Sequence, residues 1–485
     1  MLYGSAPVPW KPSRRRLPSL SWRSALFACA ALCVVLAFVA RRLGTRIVGE
    51  YDEGVYLATF RAIEQGFAPY REAYLSQPPG FLVAVYPIFS ALGSTLEAGR
   101  AGVYVYALLG LFALVWLGSE LGDVWAAFIA VGLAYACPLY LKEITTFHGD
   151  AVPATFSTLA LAAGLRFRRA RAPVWAALCA FFLVCAVLIK SDLSTLPTLM
   201  IAFVSVRARR DALRGMPVFA GAGLASTVIF IAPFGASDVY ENVVALRIHA
   251  SAAYAAEHAK VFSLLRGHAA IVLLTSAACV LALIASVISR AGRRRLMFLA
   301  PWLVTTFLTL RVYKPLQQHH LVFLVVPAAA TAAWAFTAIV RQLRAPWLVP
   351  VLASVGIIAA PWQMHQYASS VPIGLGPKQR RGIALVQRYT EKHDFIICDD
   401  GIVTALSERR TPPRLTDLSR VRIQSGGVSR ELFVSELERY QPKLIMNWAG
   451  HIRRVPDFDA IMAAHHYVQV KFKKGETPLR VYLRQ

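Results

Sequence analysis

The chain has 485 residues, of which 56% are apolar and only 16% charged, against about 25% charged in an ordinary soluble domain. That deficit excludes a single water-soluble core, and a mean hydropathy of +0.50 points to a bilayer as the solvent for most of the chain. The net charge of +25 does not indicate nucleic acid, because Lys and Arg sit in short clusters between apolar runs with no aromatic-interleaved basic stripe.

The N-terminus carries Lys11, Arg14, Arg15, Arg16 and Arg23 ahead of the apolar run Ala25–Ala40. No small-residue cleavage site follows, so an uncleaved first helix is expected rather than a signal peptide. Further apolar runs lie near 101–118, 124–141, 150–165, 173–189, 192–206, 216–234, 269–289, 296–311, 319–340 and 346–362. Each approaches the ~20 residues that a helix needs to cross hydrocarbon. The run at 192–206 is short and contains Pro197. The expected fold is therefore a polytopic α-helical membrane protein with about eleven transmembrane helices.

The loop charges test that count. With residues 1–23 in the cytoplasm, the clusters Arg166/Arg168/Arg169/Arg171, Arg207/Arg209/Arg210/Arg214, Arg290/Arg293/Arg294/Arg295 and Arg341/Arg344 all fall inside, as positive-inside topology requires. The transmembrane part then covers 24–365, with a long first outer loop at 41–100 and a second outer segment at 235–268 that reads as helical and semi-polar. The polar tail at 377–485 falls outside. Its segments Phe395–Cys398, Lys443–Trp448, Tyr467–Phe472 and Arg480–Leu483 read as strands with helical patterns such as Arg430–Arg439 between them, a small extracytoplasmic α/β domain. Of the seven cysteines, only Cys398 lies in this tail. Their spacing matches neither a disulfide framework nor a structural zinc site.

The topology also sorts the ionisable residues. Asp52 and Glu53, His148 and Asp150, Lys190 and Asp192, and Lys314, His319 and His320 all fall at the outer face. Charged groups at membrane depth are expensive and usually face a cavity or a partner. A carboxylate there suits a general base, and Lys or His suits an anionic leaving group. Simpler roles exist for each. Lys190 and Lys314 can snorkel to headgroups, Asp52–Glu53 can cap a helix, His319–His320 can cap or pack, and His148 and Asp150 can cap the fourth span ahead of Pro153.

The segment Tyr51-Asp52-Glu53-Gly54-Val55-Tyr56, followed by Gly66-Phe67-Ala68-Pro69-Tyr70 and Gln77-Pro78-Pro79-Gly80, resembles the first outer loop of the GT-C membrane glycosyltransferases. It is most similar to the branch with protein mannosyltransferases and aminoarabinose transferases. The resemblance spans roughly residues 20–365 and implies an inverting transfer of a sugar from a polyprenyl-phosphate donor to an acceptor hydroxyl on a glycan, lipid or protein. Asp52 would accept or orient the acceptor's proton, and Glu53 would support the loop or the acceptor. Lys190, Lys314, His319 and His320 would hold the donor phosphate, with Tyr56, Gln77, His148 and Asp150 also contacting substrate. A second carboxylate is expected from Asp150 or Glu143. The resemblance implies no certain cofactor, since some relatives bind a divalent metal and others do not; Asp52, His148 and His319 are the candidate metal ligands. A bacterial inner (plasma) membrane is the expected location. Two other readings, a secondary transporter and a membrane scaffold, explain the charges less well: no internal repeat is present, the charges gather at one face rather than the midplane, and a scaffold leaves the Asp-Glu loop without a purpose.

Overall fold

The computed structural model describes residues 21–44, 50–191, 193–194, 197, 199–201, 209–254, 260–372, 374–470 and 480–485. The membrane part consists of α1 (Trp22–Gly44), α2 (Tyr51–Glu64), α3 (Pro79–Ala91), α4 (Leu96–Leu121), α5 (Val124–Tyr135), α6 (Pro138–Thr145), α7 (Val152–Ala170), α8 (Pro173–Ile189), α9 (Arg209–Ile231), α10 (Ala269–Ile288), α11 (Arg290–Val312), α12 (Val325–Gln342) and α13 (Leu348–Ser370). Local chemistry sets many of these limits. Thr95 accepts from the Ala98 N–H to start α4, and Gly122, at φ 70°, ends it in the left-handed conformation that glycine tolerates. Prolines at the first turn open α3, α6, α7 and α8, where a missing N–H costs no helical bond.

Seven helices among the described residues are long and apolar enough to cross a membrane, or eight if α5 and α6 count as one span. This is fewer than the eleven expected. The α5–α6 pair, expected as one straight helix over 124–141, bends by 88° because the helix ends at Tyr135 and Pro138 starts a new one. α7 carries Arg166, Arg168 and Arg169 in its last turns, and α8 has 17 residues. Most of the expected span at 192–206 lies outside the described residues, as does Asp192. α10 turns Leu273, Leu283 and Val287 outward at about 70% exposure, a surface suited to lipid rather than water.

The two ends of the bundle differ in charge. Near one end Glu120 meets Arg166 and Arg169, and Asp123 meets Arg295 and Arg341. Three arginine clusters far apart in sequence thus gather around the α4–α5 turn. Arg100, near the other end of α4, lies twenty residues from Glu120, or ~30 Å along the axis, close to the thickness of a hydrocarbon core.

The stretch expected as the first outer loop is largely helical, holding α2 and α3. The segment at 235–268 is a run of short helices, Ala236–Val239, Tyr240–Ala245 and Leu246–Ala253, then Val261–Arg266. After α14 (Pro377–Tyr389), the tail forms a four-stranded sheet of β1 (Ile396–Cys398), β2 (Leu444–Asn447), β3 (Tyr467–Gln469) and β4 (Arg480–Arg484), with α15 (Gly401–Leu406) and α16 (Arg430–Tyr440) between β1 and β2. Strand order is β1-β2-β4-β3, parallel only between β1 and β2. Alternate residues feed two cores: Ile397, Ile445 and Tyr482 pack with Phe433 on one face, and Ile396, Met446 and Val481 pack with Val386 on the other. Of the expected strand Tyr467–Phe472, residues 471 and 472 lie outside the described residues.

The tail sits on α2. A Cβ added at Gly54 would lie 2.0 Å from the Gly401 carbonyl carbon, and one at Gly401 would lie 2.6 Å from the Tyr51 oxygen. Only two glycines allow this approach. Around it, the Tyr51 hydroxyl donates to Asp417 (3.1 Å) and accepts from the Leu418 N–H (3.0 Å), and Arg61 donates to the Ala405 carbonyl (2.6 Å).

Candidate active site

Asp52 and Glu53 occupy the first turn of α2, near the positive end of its dipole. Neighbouring helix positions point about 100° apart, and the two carboxylates have different surroundings. Glu53 is fully buried. Arg100 grips it with two bonds, Nε–Oε1 at 2.8 Å and Nη2–Oε2 at 2.7 Å, and the Phe147 N–H donates to Oε1 at 2.8 Å. With both oxygens engaged, Glu53 ties α2 to α4 and to the loop that carries His148. Asp52 is half-buried and has no side-chain hydrogen bond or ion pair among the described residues. Its charge acts on Tyr56 and His148.

One turn further on, Tyr56 accepts a 2.7 Å bond from Gln77 Nε2, and the Gln77 carbonyl accepts from the Tyr70 hydroxyl at 2.8 Å. The Tyr56 ring packs edge-on against His148, at 6.5 Å between centroids.

His148, Gly149 and Asp150 lie in the loop joining α6 to α7. Neither His148 nor Asp150 caps α7, whose N-cap is Ala151 with no side-chain cap bond. Instead His148 Nδ1 is bonded to Glu143 Oε2 at 3.0 Å, and Glu50 approaches Nε2 at 3.7 Å. Burial opposes a charge on His148, but the Glu143 bond and the surrounding carboxylates outweigh it and push its pKa up to about 10. Asp150 Oδ1 forms an ion pair with Lys190 Nζ at 2.8 Å, and Oδ2 lies 3.7 Å from His319 Nε2. Burial alone would raise its pKa; Lys190, helped by the histidines, holds it well below the usual carboxylate range.

His319 and His320 lie at the start of the 3-10 segment Gln318–Leu324. Their rings are 4.3 Å apart, and the His319 ring is 5.7 Å from His148. His320 Nδ1 accepts from the Gln317 N–H at 3.1 Å, so this histidine also caps its own turn. Lys314 is half-buried in the same connection, between α11 and Gln318.

Four segments distant in sequence (α2, the α6–α7 loop, the end of α8 and the α11–α12 connection) thus supply one cluster. The residues anchoring it were not singled out from sequence: Arg100 and Glu50 were missed, and Glu143 was only an alternative to Asp150. Arg100, lying at the start of a long apolar span, is the one that the cost of a buried charge marks out.

Comparison with solved structures gives the class first. The fold is that of the GT-C membrane glycosyltransferases. ArnT from Cupriavidus metallidurans bound to undecaprenyl phosphate superposes with a TM-score of 0.61 at 13% identity, covering 94% of this chain and 97% of that one. Its apo form gives 0.62 at 15% identity, with 95% and 98% covered. The oligosaccharyltransferase of Archaeoglobus fulgidus, in complex with Zn and sulfate, gives 0.51 at 13% identity, with 93% and 73% covered. No family model and no curated protein sequence matches the chain.

Two sets of three side chains bring their ligand atoms within 4.8 Å of one another, Glu143/His148/Asp150 and Asp150/His319/His320. Asp52, expected as a ligand beside His148 and His319, belongs to neither, so that ligand set is corrected. In the first set Glu143 Oε1 and His148 Nε2 are buried without a hydrogen-bond partner among the described residues, while Asp150 Oδ1 is ion-paired with Lys190 at 2.8 Å. The mixed carboxylate–imidazole chemistry is of the kind a divalent cation takes, provided His148 gives up its proton.

Proposed function

We propose that the chain is an integral-membrane glycosyltransferase that moves a sugar from a polyprenyl-phosphate donor to an acceptor hydroxyl at the extracytoplasmic face, inverting the anomeric carbon. The observation that carries this reading is Asp52: a half-exposed carboxylate, unpaired among the described residues, that opens a buttressed helix beside a cluster of Lys190, Asp150 and three histidines. The GT-C fold and the undecaprenyl phosphate of the ArnT complex support it.

In this reading the acceptor hydroxyl gives its proton to Asp52 as its oxygen attacks the anomeric carbon. The carbon–oxygen bond to the phosphate breaks on the opposite side, and the polyprenyl phosphate departs with the electron pair. Lys190 and Lys314, with His319 and His320, meet the charge that grows there. Asp150 positions Lys190, and Glu143 holds His148 protonated. Tyr56 and Gln77 line the sugar's approach, and Glu53 keeps α2 in place through Arg100. A divalent cation, if bound, would be held by Glu143, Asp150 and a deprotonated His148, and would supply Lewis-acid charge for the leaving phosphate in place of the imidazolium's charge. The acceptor is a glycan, a lipid or a protein. Residues 1–23 face the cytoplasm and 377–485 the outside of a bacterial inner membrane, a placement supported by the gathering of Arg166, Arg169, Arg295 and Arg341 at one end of the bundle.

The test is transfer from radiolabelled polyprenyl-phosphate sugars in membranes. Wild type should label an acceptor, and Asp52→Asn should lose that transfer while expressing and folding normally. Normal transfer by the variant removes Asp52 as the base. No transfer by wild type from any hexose or pentose donor overturns the donor class.

A further inference from the structure

A cleft of about 300 Å³ opens between α2 and the C-terminal domain, away from the cluster above, with Ala58 and Ala62 on its α2 wall. Its charged lining is Arg61, Lys392, Arg409 and Arg410 against a single carboxylate, Glu408. On a chain with 52 Lys and Arg, clustered cations alone mean little. What separates these is how little of their charge is answered.

Arg61 is half-buried and donates one bond, to the Ala405 carbonyl. Burial weakens its hold on its proton, and Glu408, Glu64 and Glu97 counter this without forming an ion pair. Arg409 gives its donors to neutral oxygens, Thr390 Oγ1 at 3.1 Å, the Thr390 carbonyl at 2.9 Å and the Ser407 carbonyl at 3.0 Å. Arg410 is held by its backbone, which pairs with Asp394 and Ile396, and its exposed guanidinium has no bond among the described residues. Glu408 is matched by Lys392 at 3.6 Å, with both ends exposed, where an ion pair contributes little. Among the described residues, three guanidinium groups with no carboxylate in ion-pair contact therefore line one concave surface. A buried or half-buried charge left unpaired is costly, and an anion in the cleft would relieve that cost.

We infer that this cleft binds a phosphate-bearing ligand. Several guanidinium forks around one space suit a multiply charged tetrahedral anion better than a lone carboxylate. The volume is at the small end of ligand pockets, enough for a phosphate and a group about the size of one sugar. Arg61 lies nine residues along α2 from Asp52, ~14 Å at 1.5 Å per residue, so the cleft is a second anion site and does not depend on the transferase reading. It links any such ligand to α2, the helix that carries Asp52.

The test uses the full chain in phosphatidylcholine nanodiscs, titrated calorimetrically with inorganic pyrophosphate. One binding event should weaken about tenfold or more in Lys392→Ala/Arg410→Ala, a change confined to exposed side chains, and with added salt. Lys314→Ala, which alters the other cluster, should leave that event in place. Nanodiscs containing phosphatidylglycerol then identify the source: competition with pyrophosphate assigns the site to lipid headgroups, and its absence assigns it to soluble phosphate compounds. Unchanged affinity in the double variant, or no pyrophosphate binding by wild type, overturns the inference.

Discussion

Gly54→Ala tests how the C-terminal domain is seated on α2. The added methyl would sit 2.0 Å from the Gly401 carbonyl carbon, 2.1 Å from the Ile402 nitrogen and 2.3 Å from the Gly401 oxygen, whereas ordinary contact begins at 3.4 Å. All three obstacles are backbone, so no side chain can swing aside, and the helices must part. Overpacking costs ~1–3 kcal/mol, and a backbone obstacle puts this case near the upper end. About 3 kcal/mol shifts the seated-to-unseated equilibrium by roughly two orders of magnitude. Limited proteolysis of purified protein should show faster cutting between α13 and α14 than in wild type, with a lower melting temperature. With Asp52 as the proposed base, glycosyl transfer should fall at least about tenfold, because α2 carries it and small misplacements of a reacting group are costly. Wild-type cutting and melting in Gly54→Ala would refute the close approach of α2 and α15.

Three further outcomes follow from the site. Arg100→Ala should destabilise the protein by about 3–5 kcal/mol, since it strands a buried carboxylate, and Arg100→Ala/Glu53→Gln should recover part of that loss in detergent melts; full additivity would deny the pair. Because the pKa of His148 is raised from 6.5 to about 10, its contribution to stability is fully present below about pH 6.5 and is lost as pH rises towards 10. Glu143→Gln should flatten that decline in melting curves recorded from pH 6 to 11. Lys314→Ala should raise the KM for the lipid donor more than that for the acceptor; equal effects on both would count against a phosphate contact.

Apolar length and the spacing of arginine clusters determined a great deal without any coordinates. Every apolar stretch must satisfy its backbone internally in lipid, so runs near 101–118 or 269–289 have helix as their solution. Short apolar runs set between polar and helical stretches likewise placed the strands around Ile397, Ile445 and Tyr482. Asp52, His148, Asp150, Lys190 and His319 could be grouped on one face because the alternation of loops assigns each to a side. Tertiary structure alone decided their roles. Asp52 and Glu53 are neighbours with the same chemistry, and only the position of Arg100, forty-seven residues on, makes one an anchor and leaves the other open. In sequence Asp150 ranked ahead of Glu143 for one role; the bend at Pro138 and the loop after Thr145 give them two, putting Glu143 on His148 and Asp150 on Lys190. The basic cleft joins α2 to residues more than three hundred positions away. Such pairings depend on which helix faces meet, a three-dimensional outcome that no local pattern encodes.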